Sequence, residues 1–228
     1  MKIAITGADG LLGTNLKPYL DFIPLTQKDF DVTNYKEVKE VMTRIKPDIV
    51  VHLAAISTAL QAEADRSYAM KVNVEGTKNM VELSKKFVFL STDYVFDGRK
   101  GMYKEDDKPN PQTFIGITKY LAEEEVKHHP NTTIIRTSFK EVPYRHDQVP
   151  GEMYSSADYV PIIAYLVSKA IQFPRLPPIL HVATERKWLV DLARKTKPNI
   201  KIISLRDVVI PIPRDCSLDV SLFTSLCK

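Results

Sequence analysis

Cysteine is nearly missing from this chain: there are two, Cys216 and Cys227, both close to the C-terminus. That excludes a disulfide framework and a cysteine-rich metal site, and it is the usage of a reducing compartment. No apolar run approaches the roughly 18 residues that a membrane-spanning helix requires. The opening stretch Met1–Thr6 is a short apolar strand broken by glycine and Asp9, which excludes a signal peptide and predicts a cytoplasmic protein. No excess of one charge is present either. Lys and Arg number 32 against 28 Asp and Glu, and the two signs are interspersed, as in Tyr35-Lys36-Glu37-Val38-Lys39-Glu40. A solvated helix face explains such runs, so no nucleic-acid partner is expected. His128, His129 and His146 have no companions at ligand spacing, so they read as surface residues and no metal is expected.

What is present is 44% hydrophobic residues in short runs that alternate with stretches of helical period. That alternation predicts an α/β fold, a Rossmann-type doubly wound parallel sheet covered on both faces. The strand candidates are 2–6, 22–25, 49–54, 87–91, 133–137 and 179–182. Val38, Val41, Met42 and Ile45 mark a helix after a cap at Thr33 or Asn34, and Pro47-Asp48 ends it. Further helices are expected around 70–85, 117–127, 158–171 and 185–195. Residues 139–157, rich in Pro, Tyr and charge, read as an irregular loop. The organisation expected is a dinucleotide-binding domain over 1–138 and a small C-terminal substrate lobe over 139–228, interleaved with the last sheet elements.

Glycine is scarce, eight in 228 residues, yet three fall in Thr6-Gly7-Ala8-Asp9-Gly10-Leu11-Leu12-Gly13. This turn follows a buried strand and opens a helix, the context of a dinucleotide-binding turn. The first glycine allows the tight turn, the second lets the backbone approach a pyrophosphate, and the third lets helix and strand pack closely. Free N–H groups at the helix start then face the phosphates.

The spacing Gly-x-x-Gly-x-x-Gly resembles that of the extended short-chain dehydrogenases/reductases. Further segments sharpen the resemblance: Pro47–Ala55, Val72-Asn73, Ser91-Thr92-Asp93-Tyr94-Val95-Phe96-Asp97-Gly98, Tyr103–Asp107, Pro109–Pro111, Gly116–Lys119, Arg136–Ser138 and Pro213–Asp219. Together they are similar to the dTDP-4-dehydrorhamnose reductase family. The resemblance implies reduction of a 4-keto group on a nucleotide-linked 6-deoxysugar with hydride from NADPH or NADH. It implies cofactor contacts at Gly7, Asp9, Gly10, Leu11, Leu12, Gly13, Lys28, Asp31, Val32, Leu53, Ala54, Ala55 and Lys119. Thr92 would polarise the carbonyl, and Lys119 would hold the nicotinamide ribose and lower the pKa of a proton-donating tyrosine. Pairing of two copies through helices equivalent to 70–85 and 117–127 is also implied.

The tyrosine is the departure. The family's Tyr stands four residues before the Lys on one helix face, and that position is Ile115. Phe114 has no hydroxyl, and Tyr120 is turned by about 100° around the helix. Tyr94 and Tyr103 would need a rearrangement to reach the site. Two readings therefore stay open: a reductase drawing its proton from Asp93, Tyr94 or water, or a non-catalytic dinucleotide-binding partner protein such as the regulatory β subunit of methionine adenosyltransferase. A third is an epimerase or dehydratase of the same branch, which would want the same tyrosine. Leu25-Thr26-Gln27-Lys28 offers no acid at the strand tip and does offer Lys28, which favours NADP(H) over NAD(H). On the substrate side Tyr94, Arg136 and Arg214 are the candidates, with Arg145, Arg175 and Arg186 as further guanidinium groups able to hold a diphosphate.

Overall fold

A computed structural model describes all residues from Met1 to Lys228. Six parallel strands form the central sheet: β1 (Ile3–Thr6), β2 (Ile23–Leu25), β3 (Ile49–His52), β4 (Phe87–Thr92), β5 (Thr132–Thr137) and β10 (Ile179–His181), in the order β2-β1-β3-β4-β5-β10. These are the six segments whose continuous apolar character marks strands buried on both faces. The chain leaves β1 toward β2 and returns to β3 on the other side of β1. The strand order therefore reverses between β1 and β3, and a crevice opens there beyond the carboxyl ends of the strands.

Helices cover both faces. On one, α1 (Leu11–Leu16) and α7 (Val160–Ile171) pack together, with Leu12, Leu16, Ile163, Val167 and Leu180 in a single cluster. On the other lie α2 (Tyr35–Ile45), α5 (Gly76–Glu82) and α6 (Phe114–Lys127), which bury Val38, Val41, Met80, Ala122 and Val126 against Phe87 and Phe89. The cap of α2 is Asn34, whose side chain accepts from the N–H groups of Lys36 and Glu37. Asn34 in turn donates to Glu37 Oε1 at 2.7 Å, while Glu37 Oε2 accepts from Asp31 N at 2.9 Å. The helix expected over 70–85 begins earlier. A short α3 (Ala59–Ala64) leads into α4 (Arg66–Met70), which continues through a π-helical turn, Lys71–Glu75, into α5. Such turns insert one extra residue per turn and often lie at functional sites.

The stretch 139–157 is more ordered than its composition suggests. It holds β6 (Phe139–Lys140), β7 (Gln148–Pro150) and β8 (Tyr154–Ser155). These pair in two-stranded ladders with β9 (Asp158–Tyr159), β12 (Lys201–Ile203) and β11 (Lys187–Trp188) respectively. Strands of two or three residues carry no readable alternation, so the periodicity that found the main sheet could not find them. With α8 (Leu189–Arg194) they enclose a separate small core around Tyr144, Val149, Met153, Tyr159 and Leu192. A final helix, α9 (Ser221–Leu226), lays Phe223 on the main core. None of the helices is long and apolar enough to cross a membrane.

Candidate active site

A cleft of about 680 Å³ runs along the carboxyl ends of β1, β3, β4 and β5, within the size range of small-molecule sites. One end is built by the glycine turn. Gly7 has φ +62°, and a Cβ there would lie 2.8 Å from Ala54 N, so only glycine lets the β1 turn touch the chain leaving β3. A Cβ on Gly13 would meet Ala8 Cα at 2.7 Å, so α1 packs on the turn only without a side chain. Thr6 Oγ1 ties the two strand ends together, accepting from the N–H groups of Leu53 and Ala54 at 3.2 and 3.3 Å and bonding His52 Nδ1 at 2.8 Å. Gly10 is the N-cap of α1 and offers no side-chain cap, so the first N–H groups of the helix stay open toward the cleft. A turn whose glycines keep a Cβ out, and whose following helix starts with N–H groups that have no partner in the chain, suits a pyrophosphate.

Of the expected cofactor residues, Gly7, Asp9, Gly10, Leu11, Leu12, Gly13, Asp31, Val32, Leu53, Ala54, Ala55 and Lys119 all line this cleft. Val32 is held there because its carbonyl accepts from Asn79 Nδ2 at 3.0 Å. Asp31 Oδ1 accepts from Thr33 N, a local turn that also aims the residue. Lys28 does not line the cleft; Thr26 and Gln27 do, and Lys28 is exposed beyond them. The nearby Asp29 carboxylate is taken up by the N–H and hydroxyl of Thr26, at 2.7 and 2.9 Å, which lowers its pKa.

The other end is built by β4, α6 and the chain after β5. Thr92, at the tip of β4, donates from Oγ1 to Asp93 Oδ1 at 3.1 Å and accepts from Tyr94 N. Asp93 is buried, which raises its pKa, against the charge of Lys140 and the hydroxyls of Ser138 and Thr92. Lys119 is buried on α6. Its Nζ donates to the Leu90 carbonyl at 2.9 Å and sits 4.7 Å over the Phe89 ring. Burial brings its pKa down to about 8, with the Glu123 carboxylate opposing. Asn73, in the π-helical turn, accepts from Ile56 N at 2.8 Å and donates to Ile56 O and Thr118 Oγ1, locking the loop after β3 to α6.

Ile115 does line the cleft, one turn before Lys119, and packs with Ala62 and Ala69 against the Tyr94 ring. Tyr94 itself lines the cleft without the rearrangement expected from its place in sequence. Burial, with the Asp93 charge adding to it, pushes its hydroxyl pKa well above the ordinary tyrosine range, so it is a weak acid there. Tyr103 and Tyr120 pack away from the cleft, beside Phe96 and Val95.

The arginine expectations need correction. Arg136 cannot hold a substrate phosphate: it is 1% exposed and bound to Glu123 at 2.7 and 3.0 Å, in a pair that Ser91 Oγ completes. A strand interior placed it beneath the sheet ends, where its charge had to be matched by a carboxylate. Arg214 is exposed, leans on the Glu152 carbonyl and lies outside the cleft. Arg186 pairs with Asp215 at 2.8 Å, and Arg175 is a surface residue away from the cleft. Arg145 and His146 do line it; His146 is an exposed surface residue, as expected, at the rim of the cleft. Lys140 and Thr137 also line the cleft, and the sequence reading missed both; the Thr137 hydroxyl is buried with no hydrogen-bond partner. The motif Arg136-Thr137-Ser138 gave the position of that hydroxyl, but nothing signalled that the next strand would fold Lys140 back over Asp93.

Comparisons with known proteins agree with this geometry. The family model described as RmlD substrate binding domain matches residues 1–147. A dTDP-4-dehydrorhamnose reductase of Sinorhizobium fredii is 35% identical over 149 residues, 61% of this chain and 50% of that one. Methionine adenosyltransferase 2 subunit beta of Danio rerio is 30% identical over 155 residues, 59% of this chain and 46% of that one. The chain thus spans about half the length of the curated relatives it matches. A crystal structure of dTDP-4-dehydrorhamnose reductase from Bacillus anthracis in complex with NADP superposes with a TM-score of 0.87 at 28% identity, covering 99% of this chain and 92% of that one. The glycine turn, the Thr92–Gly98 segment and the Lys119 helix all fall within the matched residues, and the chain belongs to the RmlD substrate-binding-domain family.

Proposed function

We propose that this protein is an NADP(H)-dependent reductase of a nucleotide-linked 4-keto-6-deoxysugar. The observation that carries the reading is one continuous cleft that joins the glycine turn to Thr92 and Lys119. The bound dinucleotide would supply the hydride. The turn Gly7–Gly13 would hold its pyrophosphate, Asp31 and Val32 its adenosine end, Leu53–Ala55 its length, and Lys119 its nicotinamide ribose. Preference for NADP(H) is supported by the strand tip, where the Asp29 carboxylate is already engaged by Thr26. In this reading residues 1–138 serve the cofactor and the lobe built from 139–228 serves the sugar nucleotide, with Asp93, Tyr94 and the unpartnered Thr137 hydroxyl beside the reacting carbonyl. Two copies would pair through α5 and α6, where Ile117 and Leu121 are exposed apolar residues.

A second reading is favoured by Ile115: a protein that binds the dinucleotide and serves as a regulatory partner without turnover. A positioned general acid contributes about 10²–10⁴-fold in rate, roughly 3–5 kcal/mol of barrier. NADPH oxidation with dTDP-4-keto-6-deoxyglucose separates the two when wild type is compared with Ile115→Tyr. Turnover by the wild type is the expected result. NADPH binding with turnover only in Ile115→Tyr would support the partner-protein reading instead.

A further inference from the structure

We propose that Lys140 is the proton donor of this reduction and that Asp93 is its positioning partner, an inference that rests on the reductase reading above. The usual donors are unavailable. Ile115 has no hydroxyl, the Thr92 hydroxyl donates to Asp93 Oδ1, and Lys119 Nζ, bonded to the Leu90 carbonyl, is the group that would hold the nicotinamide ribose. Lys140 differs from all of them. Thr92 and Thr137 lie side by side at the ends of β4 and β5, and the chain beyond Thr137 turns at once into β6, where Lys140 pairs with Tyr159 of β9. That turn carries a lysine over the buried Asp93 and into the cleft wall. Its Nζ makes no hydrogen bond or ion pair within the chain, and the side chain is half-buried in the cleft wall.

A half-buried ammonium with no partner in the chain is free to meet what enters the cleft. Asp93 supports its charge from one side, and the unpartnered Thr137 hydroxyl stands nearby as a further hydrogen-bond donor for a carbonyl oxygen. Burial lowers the Lys140 pKa from its ordinary value, which makes the ammonium a stronger acid. In the step, the carbonyl carbon gains the hydride pair from the dihydronicotinamide and the carbonyl oxygen gains a proton from Lys140 Nζ. The ketone becomes a secondary alcohol, the nicotinamide is left oxidised, and Lys140 is left as a neutral amine that takes a proton back from water.

The test uses the intact protein with NADPH and dTDP-4-keto-6-deoxyglucose. Lys140→Met should lower kcat by about 10²–10⁴-fold, leave KM within a few-fold and leave NADPH affinity, read by fluorescence titration, unchanged. Methylamine in the medium should restore part of kcat in Lys140→Ala, which a merely structural role would not allow. A readout without turnover is the acetylation rate of Lys140 by acetic anhydride, followed by mass spectrometry. Saturating NADP⁺ with the keto sugar nucleotide should slow it. Wild-type kcat in Lys140→Met, a change confined to KM, or an unprotected Lys140 would each overturn the assignment while leaving the reductase reading standing. A wild type that binds NADPH and oxidises none of it would overturn both.

Discussion

The two walls of the cleft are made of different materials. The wall at the β1–β3 switch is backbone: glycines, open N–H groups, and a threonine that pins two strand ends. The wall formed by β4, α6 and β6 is side chain, with Asp93, Tyr94, Lys119 and Lys140 all partly or wholly buried. The first recognises by shape and needs no titration to work. The second recognises by charge, and each of its groups has been moved from its ordinary pKa by burial. A family can therefore keep the first wall while revising the chemistry of the second.

The largest effect that would sharpen this contrast lies behind the charged wall. Arg136→Met should leave Glu123 buried without its partner and cost about 3–5 kcal/mol in urea unfolding, with the glycine wall still binding NADPH in the folded fraction. Next comes Lys119, whose folded pKa of about 8 lies below the unfolded value of 10.5. Between those two pH values the unfolded chain binds the extra proton, so stability rises with pH there and is flat below pH 8. Relative to Lys119→Met, the wild type should gain about 3 kcal/mol between pH 8 and 10.5. A difference that falls with pH would mean that the charge is stabilised and not penalised in its site. The smallest of the three expected effects touches the backbone wall. Gly7→Ala should weaken NADPH binding by about 100-fold, or about 2.7 kcal/mol, at every pH alike, because a methyl group 2.8 Å from Ala54 N displaces the strand end. A pH-dependent loss would blur the distinction between the walls.

Most of the backbone wall was legible in the sequence, because shape constraints leave marks there; Lys28, expected at its rim, lies outside the cleft. A glycine where no other residue fits, an apolar run where both faces are covered, and a cap before a helix are local signals. Six strands and the glycine turn were found that way. The charged wall was legible only where a motif fixed it, at Thr92, Asp93 and Lys119. Arg136 was misjudged because its partner Glu123 lies 13 residues earlier on a different element, and no local pattern pairs them. Lys140 was missed because it reaches the cleft through a two-residue strand whose partner lies farther along the chain. Tyr94 was placed too far away for a related reason: the tight turn Asp93–Val95 directs its side chain, and turn geometry is not written in periodicity.

The edge strand β10 has a consequence for how the molecule is made. Its pairing with β5 is delayed until residues 179–181 have been synthesised, and α7, which seals the same face, is completed only shortly before them. A nascent chain that has reached residue 138 therefore carries every residue of the glycine wall, yet presents β5 as an open parallel edge with Ile135 bare to solvent. Such edges invite pairing with other chains. Cutting the protein after residue 138 should yield an aggregating fragment, read by light scattering against the full chain.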